Sequence, residues 1–263
     1  MAEPILAPEL DLRRALLTVV DTGAAFVPQA LAEPFRQRLQ HEVAACPFAP
    51  VPTEIGPVRQ EIELCVVPVP SVPSPPAPSS VVERARVKAN GRSSPPAPPW
   101  APAAARADYP SLAALCRAFV AAVRAHGQGI RGLERYAPNV AYVQRYRPGS
   151  LGVSPHRDGK RFALLVAVFT THGSASFSLC RGRSGGALAT WEAGPGSLAL
   201  LRGPGLGGLP DGRPFHTVAG PACGERYSVT IRMDTLAALA RPDTSPAGME
   251  WRLPTPPGAA GAP

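Results

Sequence analysis

The sequence predicts an α+β protein with a mainly β core: an antiparallel barrel or jelly roll supported by N-terminal helices. Three observations carry this expectation. From Asn139 onward, short runs rich in β-branched and aromatic residues recur (NVAYVQRYR, RFALLVAVFTT, SASFSLCR, ALATWE, GSLALLRG, FHTVAG and ERYSVTIRM), divided by glycine-rich turns. Two stretches with helical spacing of apolar residues precede them. No self-similarity recurs at a fixed period, which excludes solenoids and propellers.

Taken in order, residues 1–14 are expected to form a loose tail and residues 15–67 a support of strands and one helix. Ala15–Val20 and Ala24–Val27 are apolar and partly β-branched, the pattern of one or two strands. After Pro28, residues Leu31, Phe35, Leu39, Val43 and Cys46 recur every three or four positions, giving an amphipathic helix stopped by Pro47. Glu61–Val67 alternates like a strand. Residues 68–105 change character to proline tracts around a charged insert that carries Arg84, Arg86, Lys88 and Arg92. Proline tracts lack backbone donors and stay extended, so this segment is expected to be a partly disordered surface excursion. Its basic insert either reaches phosphates or is simply solvated. Residues 106–240 hold a second amphipathic helix (Leu112, Leu115, Cys116, Phe119, Val120, Val123), ended near Gly127, and then the β core; residues 241–263 form another Pro/Gly-rich tail.

Composition sets the bounds. A chain of 263 residues with 45% hydrophobic and 17% charged residues can bury one substantial core. The net charge of +8 favours a polyanionic partner such as nucleic acid, or serves solubility alone. Five scattered cysteines without a CxxC pair argue for reduced thiols and against a disulfide framework or structural zinc. The N-terminus lacks the pattern of a secretory signal, and the longest apolar run, Phe162–Phe169, is too short to cross a bilayer. The expectation is a cytoplasmic monomer with no membrane partner.

The candidate chemistry lies between His156 and Arg232. In an extended segment alternate side chains share a face, so His156 and Asp158 of the HRD run would point one way and Arg157 the other. His216, opening a predicted strand, is the best third ligand; His41 and His126 belong to helices, and His172 would be carried to the far end of the barrel. Two imidazoles and one carboxylate on a single face, with the other positions open, suit a non-haem Fe(II) oxygenase. Downstream, Arg226, Ser228, Thr230 and Arg232 alternate along one strand, with Tyr227, Val229 and Ile231 on the other face. Guanidiniums buried in a barrel are costly unless anions meet them. A dicarboxylate such as 2-oxoglutarate would fit: Arg226 and Ser228 grip its distal carboxylate while the keto-acid end chelates the metal. The alternative is an edge strand with ordinary surface pairing. Tyr142, Gln144 and Tyr146 also alternate on one strand; Gln144 and Tyr146 would donate to the cosubstrate from the side opposite the arginines, or serve as satisfied core groups.

These motifs resemble the 2-oxoglutarate- and Fe(II)-dependent dioxygenase superfamily, and within it are most similar to the AlkB-type group, over roughly Asn139–Met233. The HxD element matches His156-Arg157-Asp158, the distal histidine His216, and the RxNxTxR element Arg226 to Arg232, with Ser228 in place of asparagine. Gln144-Arg145-Tyr146 before Pro148-Gly149 corresponds to an NxY element, with Gln144 departing from it. The resemblance implies a double-stranded β-helix with the metal at its open end. It also implies Fe(II), 2-oxoglutarate and O2 as cofactors, and hydroxylation of a substrate C–H with release of succinate and carbon dioxide. For an alkylated base the hydroxylated product would shed an aldehyde, and a duplex base would first be flipped out.

Basic residues near the mouth, among them Lys160, Arg161, Arg181, Arg183, Arg202 and Arg213, either track phosphates or are solvated; Tyr142, Lys160 and Arg161 are the substrate candidates. Gly203–Gly212 lacks the ending of a phosphate loop and reads as a lid or a long turn. A small-metabolite or protein side-chain hydroxylase, and a cupin-like binding module without turnover, remain open. A zinc hydrolase would have no use for the two-arginine strand.

Overall fold

The computed structural model describes residues 3–69 and 109–235, so the basic insert at Arg84–Arg92 and the tail from 241 lie outside the described residues. The opening segment is not a loose tail: Ala7 N donates to Ala30 O, and Ala32 N to Ile5 O. Nor is Ala15–Val20 a strand. It lies inside helix α1 (Leu12–Thr22), where Leu12, Ala15, Leu16 and Val19 are buried at helical spacing. Capping decides the outcome against β-branching. Asp11 accepts from the Arg14 amide at the start, and Gly23 takes the left-handed conformation at the end. Strand β1 (Ala24–Val27) follows as expected.

Helix α2 (Glu33–Ala44) carries Pro34 in its first turn and buries Phe35, Leu39 and Val43. Helix α3 (Pro110–His126) buries Leu112, Leu115, Phe119 and Val123. The first amides of α3 are capped from another helix: the Glu42 carboxylate accepts from Ser111 N and Leu112 N, each at 2.7 Å. Between α2 and α3 the expected strand Glu61–Val67 is broken in two. Small strands β2 (Ala49–Pro50) and β3 (Glu54–Ile55) precede β4 (Val58–Glu61) and β5 (Glu63–Pro68), and Ile62 is the break. The break lets the chain pass from one sheet to the other, because β4 pairs with the smaller sheet and β5 with the larger.

Eight strands then build the barrel: β6 (Val140–Tyr146), β7 (Gly152–His156), β8 (Phe162–His172), β9 (Ala175–Gly182), β10 (Gly185–Ala193), β11 (Leu198–Arg202), β12 (Phe215–Val218) and β13 (Arg226–Asp234). The larger sheet runs β1-β11-β8-β13-β6-β5-β2 and the smaller β10-β9-β12-β7-β4-β3, all antiparallel where paired. From β6 to β13 successive strands alternate between the two sheets except at the β9–β10 hairpin. This is the double-stranded β-helix, or jelly roll. Gly152 marks where β7 crosses β12: its φ is 76°, and a Cβ there would sit 2.2 Å from Val218 O.

The larger sheet buries two faces. Tyr227, Val229 and Ile231 point outward into the core shared with the three helices, alongside Leu16, Phe119 and Phe169. Tyr142, Tyr146, Phe162 and Val166 point inward to meet Val153, Phe177 and Val218 of the smaller sheet. The first half of the glycine-rich segment is packed as a turn, while Gly208 to Asp211 are exposed. Leu206 is fully buried, Gly207 N donates to Arg131 O and Gly203 N to Leu164 O. Leu164, bonded on both sides to this turn, holds φ 65° at a bulge in β8, opposite the register shift between Ile231 and Met233.

Candidate metal and anion site

His156 and His216 are register partners on the neighbouring strands β7 and β12, so their imidazoles stand side by side with centroids 4.3 Å apart. Asp158 lies two residues past the end of β7. It therefore reaches the same face from a loop and not, as expected, along a continuing strand. That loop is held by Arg213, which donates to the Asp158 carbonyl while pairing with Asp211. One ligand atom from each of His156, Asp158 and His216 lies within 4.8 Å of the others.

The surrounding bonds orient this trio. Each Nδ1 faces the carbonyl two residues earlier, Ser154 O at 2.8 Å and Pro214 O at 3.4 Å, which leaves both Nε2 atoms toward the carboxylate. His216 Nε2 is 4.0 Å from Asp158 Oδ2. Oδ1 of the same carboxylate accepts from Arg232 at 2.8 Å, whereas Oδ2 is buried without a hydrogen-bond partner among the described residues. Burial holds His216 neutral, pushing its pKa down to about 3, with His156 adding to the shift; burial lowers His156 as well. For Asp158, burial works to raise the pKa, and Arg232 with the two histidines overcomes it to leave the carboxyl below its ordinary value. The trio thus offers two neutral imidazoles and one carboxylate, the protonation states that metal ligation requires. Phe177 stacks on the His216 ring at 5.6 Å and closes the site from beneath.

The arginine strand lies alongside. Arg226 is fully buried, and its Nη2 donates to Thr170 Oγ1 at 2.9 Å while Nε and Nη1 have no hydrogen-bond partner among the described residues. Its guanidinium sits 4.9 Å over the Tyr146 ring. Burial lowers the Arg226 pKa and raises that of Tyr146. Ser228 and Thr230 both donate to Gln144 Oε1, at 3.3 and 2.9 Å. Tyr146 and Gln144 therefore approach from the strand next to the arginines, as the pairs Arg226–Tyr146 and Ser228–Gln144, and not from the opposite side. Arg232 belongs to the end beside the trio: besides holding Asp158, it lies between the rings of Tyr142 and Phe162, at 4.7 and 4.5 Å.

A cavity of about 240 Å³ opens beside the trio, bordered by His156, Asp158, His216, Tyr142, Gln144, Tyr146, Thr230 and Arg232. Of the substrate candidates, Tyr142 is buried in its wall and Lys160 is exposed. Arg161 is engaged with Asp234 and the Tyr142 hydroxyl. Arg202 bonds to Gly212 O and Val20 O, so it and Arg213 brace loops. His172 contacts Gln40 at the end of β8, away from the trio. Sequence reasoning missed Thr170, Phe177 and the β2–β5 wall. Thr170 sits in an otherwise apolar strand, and its only signal was parity with the inward Val166 and Val168.

No protein-family model matches the chain, and a search of curated proteins returns no match. Among solved structures the chain is similar to a Pseudomonas putida prolyl-4-hydroxylase, with 14% identity, TM-score 0.46 and coverage of 85% of this chain and 98% of that one. It is similar to a Trichoplax adhaerens prolyl hydroxylase in complex with a hypoxia inducible factor oxygen degradation domain peptide fragment, with 10% identity, TM-score 0.47 and coverage of 85% and 89%. A third is an oxidoreductase of the 2OG-Fe(II) oxygenase family from Burkholderia pseudomallei, with 14% identity, TM-score 0.48 and coverage of 89% and 96%.

Proposed function

We propose that the protein is an Fe(II)- and 2-oxoglutarate-dependent oxygenase that hydroxylates a substrate C–H, releasing succinate and carbon dioxide. The observation that carries this reading is Arg226. A fully buried guanidinium, two of whose nitrogens have no hydrogen-bond partner among the described residues, stands on the strand whose other end holds the carboxylate of a His-Asp-His trio. Burial of that charge is costly unless a carboxylate meets it.

The donor set fits Fe(II): two imidazole nitrogens and one carboxylate oxygen, with Asp158 Oδ2 buried and lacking a hydrogen-bond partner among the described residues. When bound, Fe(II) with 2-oxoglutarate and O2 supplies the oxidising chemistry, in which one oxygen atom enters the substrate and the other enters succinate. The chain's own residues do the rest. His156 and His216 stay neutral and are aimed by Ser154 O and Pro214 O; Arg232 fixes the Asp158 carboxylate through Oδ1. Arg226 binds the distal carboxylate of the cosubstrate, with Thr170, Tyr146 and Ser228 around it. Apolar walls exclude water from the reacting face.

The test is succinate release without added substrate, measured with and without Fe(II) and 2-oxoglutarate. Release that depends on both supports the oxygenase; none at all would leave a cupin-like binding module. The finer reading, oxidative demethylation of alkylated nucleic acid, draws on the net charge of +8 and on exposed Arg157, which borders the cavity, with exposed Lys160 close by in sequence. It requires a methylated oligonucleotide to raise succinate release and to yield formaldehyde, with salt-sensitive affinity. An oligonucleotide without effect on either product ends that reading and turns attention to small molecules.

A further inference from the structure

The cavity has a wall that neither the metal trio nor the arginine strand uses. It is built by the segment from β2 to β5, which presents Val51, Ile55, Val58, Ile62 and Leu64. Its polar member, Gln60, is already committed, since Nε2 donates to Pro52 O at 3.0 Å. Val153, Phe177 and Val218, all buried, continue the apolar lining along the sheet that holds β3 and β4. A group with hydrogen-bonding edges would lose water against this wall and find no free partner on it, so this side of the cavity favours hydrocarbon, while Tyr142, Gln144 and Thr230 border the other side.

The mouth has the opposite character. Arg157 borders the cavity, is exposed, and places its guanidinium 4.3 Å over the Phe215 ring. Arg183 approaches the same ring at 5.8 Å, and Lys160 is exposed close by in sequence. Neither arginine forms an ion pair with a carboxylate among the described residues, whereas Arg36, Arg145, Arg147, Arg161, Arg213 and Arg232 all do. Two uncompensated cations beside an apolar chamber select an occupant that is hydrocarbon at one end and anionic at the other.

We propose that the substrate is a small aliphatic carboxylic acid, its hydrocarbon in the β2–β5 chamber and its carboxylate at the edge formed by Arg157, Phe215 and Arg183. Reaction at this position rests on the oxygenase reading; binding does not. The experiment is calorimetry on the full chain with 2-oxoglutarate saturating, so that probe acids do not occupy the Arg226 end. Butanoate, hexanoate and octanoate are compared with hexylamine and with a single-stranded oligonucleotide. Affinity should rise about fourfold for each methylene added until the chamber is filled, and hexylamine should not bind.

The double variant Arg157→Gln/Arg183→Gln should weaken octanoate about tenfold at low salt and remove most of its salt dependence. Val58→Asp should abolish the chain-length dependence while 2-oxoglutarate binding is kept. Should that variant not fold, the near-isosteric Val58→Thr should reduce the gain per methylene. Affinity independent of chain length, equal binding of hexylamine, or an oligonucleotide that outcompetes octanoate each overturns the proposal. Octanoate binding without any succinate release would refute the oxygenase and leave the acid site standing; succinate release without acid binding would do the reverse.

Discussion

Arg226 and Arg232 leave the same face of β13, and both side chains are largely buried, yet their surroundings differ. Arg232 meets a carboxylate at 2.8 Å and is held between two aromatic rings. Arg226 has one hydroxyl partner and one ring, and no carboxylate within pairing distance among the described residues. A repeated sequence pattern thus serves two ends of one site. The end near β7 balances its charge within the chain, although Asp158 Oδ2 and Arg232 Nε lack hydrogen-bond partners among the described residues; the Arg226 charge has no carboxylate partner among them, and in the proposed reading an anion supplies it. Structural charge and binding charge are told apart here by whether the partner belongs to the chain.

The largest effect should come from removing the carboxylate that Arg232 already holds. Asp158→Ala deletes one member of the trio and leaves Arg232 buried without its partner. Succinate release should fall to background, and Fe(II) affinity, followed by calorimetry, should fall with it. Full activity in this variant would disprove the assignment of the trio.

Arg226→Met should next raise the 2-oxoglutarate requirement by about a hundredfold or more, since charge-assisted hydrogen bonds contribute about 1.5–3 kcal/mol each. Fe(II) affinity should be unaltered. Without cosubstrate the variant should also unfold at a higher temperature than the parent, because it removes an uncompensated buried charge. A lower midpoint would mean that Thr170 and Tyr146 already satisfy the guanidinium. Arg232→Met should give the converse: Fe(II) affinity lower by about 10–100-fold, the range for lost outer-shell support, and a less stable metal-free protein, with the 2-oxoglutarate requirement changed less. Equal changes in both affinities for both variants would erase the distinction between the two ends.

How much of this was legible depends on how local the cause is. The period of β13 and the HRD run are local, so the shared face of Arg226, Ser228, Thr230 and Arg232 could be read directly, as could the outward set Tyr227, Val229 and Ile231. The partner of Arg232 is not local. It depends on a loop bringing Asp158 to β13, and nothing in RYSVTIR marks one arginine as already paired. Helix α1 was misread because β-branching at Thr18, Val19 and Val20 outweighed the Asp11 and Gly23 caps, although tertiary burial of Leu12, Leu16 and Val19 supports the helix. Of the apolar wall only Ile62 and Leu64 fall in the Glu61–Val67 run read as a strand; Val51, Ile55 and Val58 precede it in residues assigned to no element. The break of that run at Ile62 follows from sheet pairing, which a single run of sequence does not encode.

A third arginine sharpens the contrast with the smallest expected effect. Arg36 on α2 also has a nearly buried side chain, and every direction of its fork is filled: Glu33 takes Nε and Nη2, while Gln40 and Thr171 O take Nη1. Thr171 is the neighbour of Thr170, so this pair anchors the strand end that supports Arg226. The Arg36 guanidinium beside Glu33 holds that carboxyl well below its ordinary value, at about 2. A carboxyl depressed in the folded state stabilises above its unfolded pKa and loses that contribution as pH falls through the folded one. Glu33 is 60% exposed, so solvent screening reduces its worth to the range of exposed pairs, about 0.2–1 kcal/mol. Denaturant unfolding of Glu33→Gln should therefore show a small deficit above pH 4.5 that shrinks steadily between pH 4.5 and 2. A deficit that widens on acidification would show that Glu33 acts through something other than its charge on Arg36.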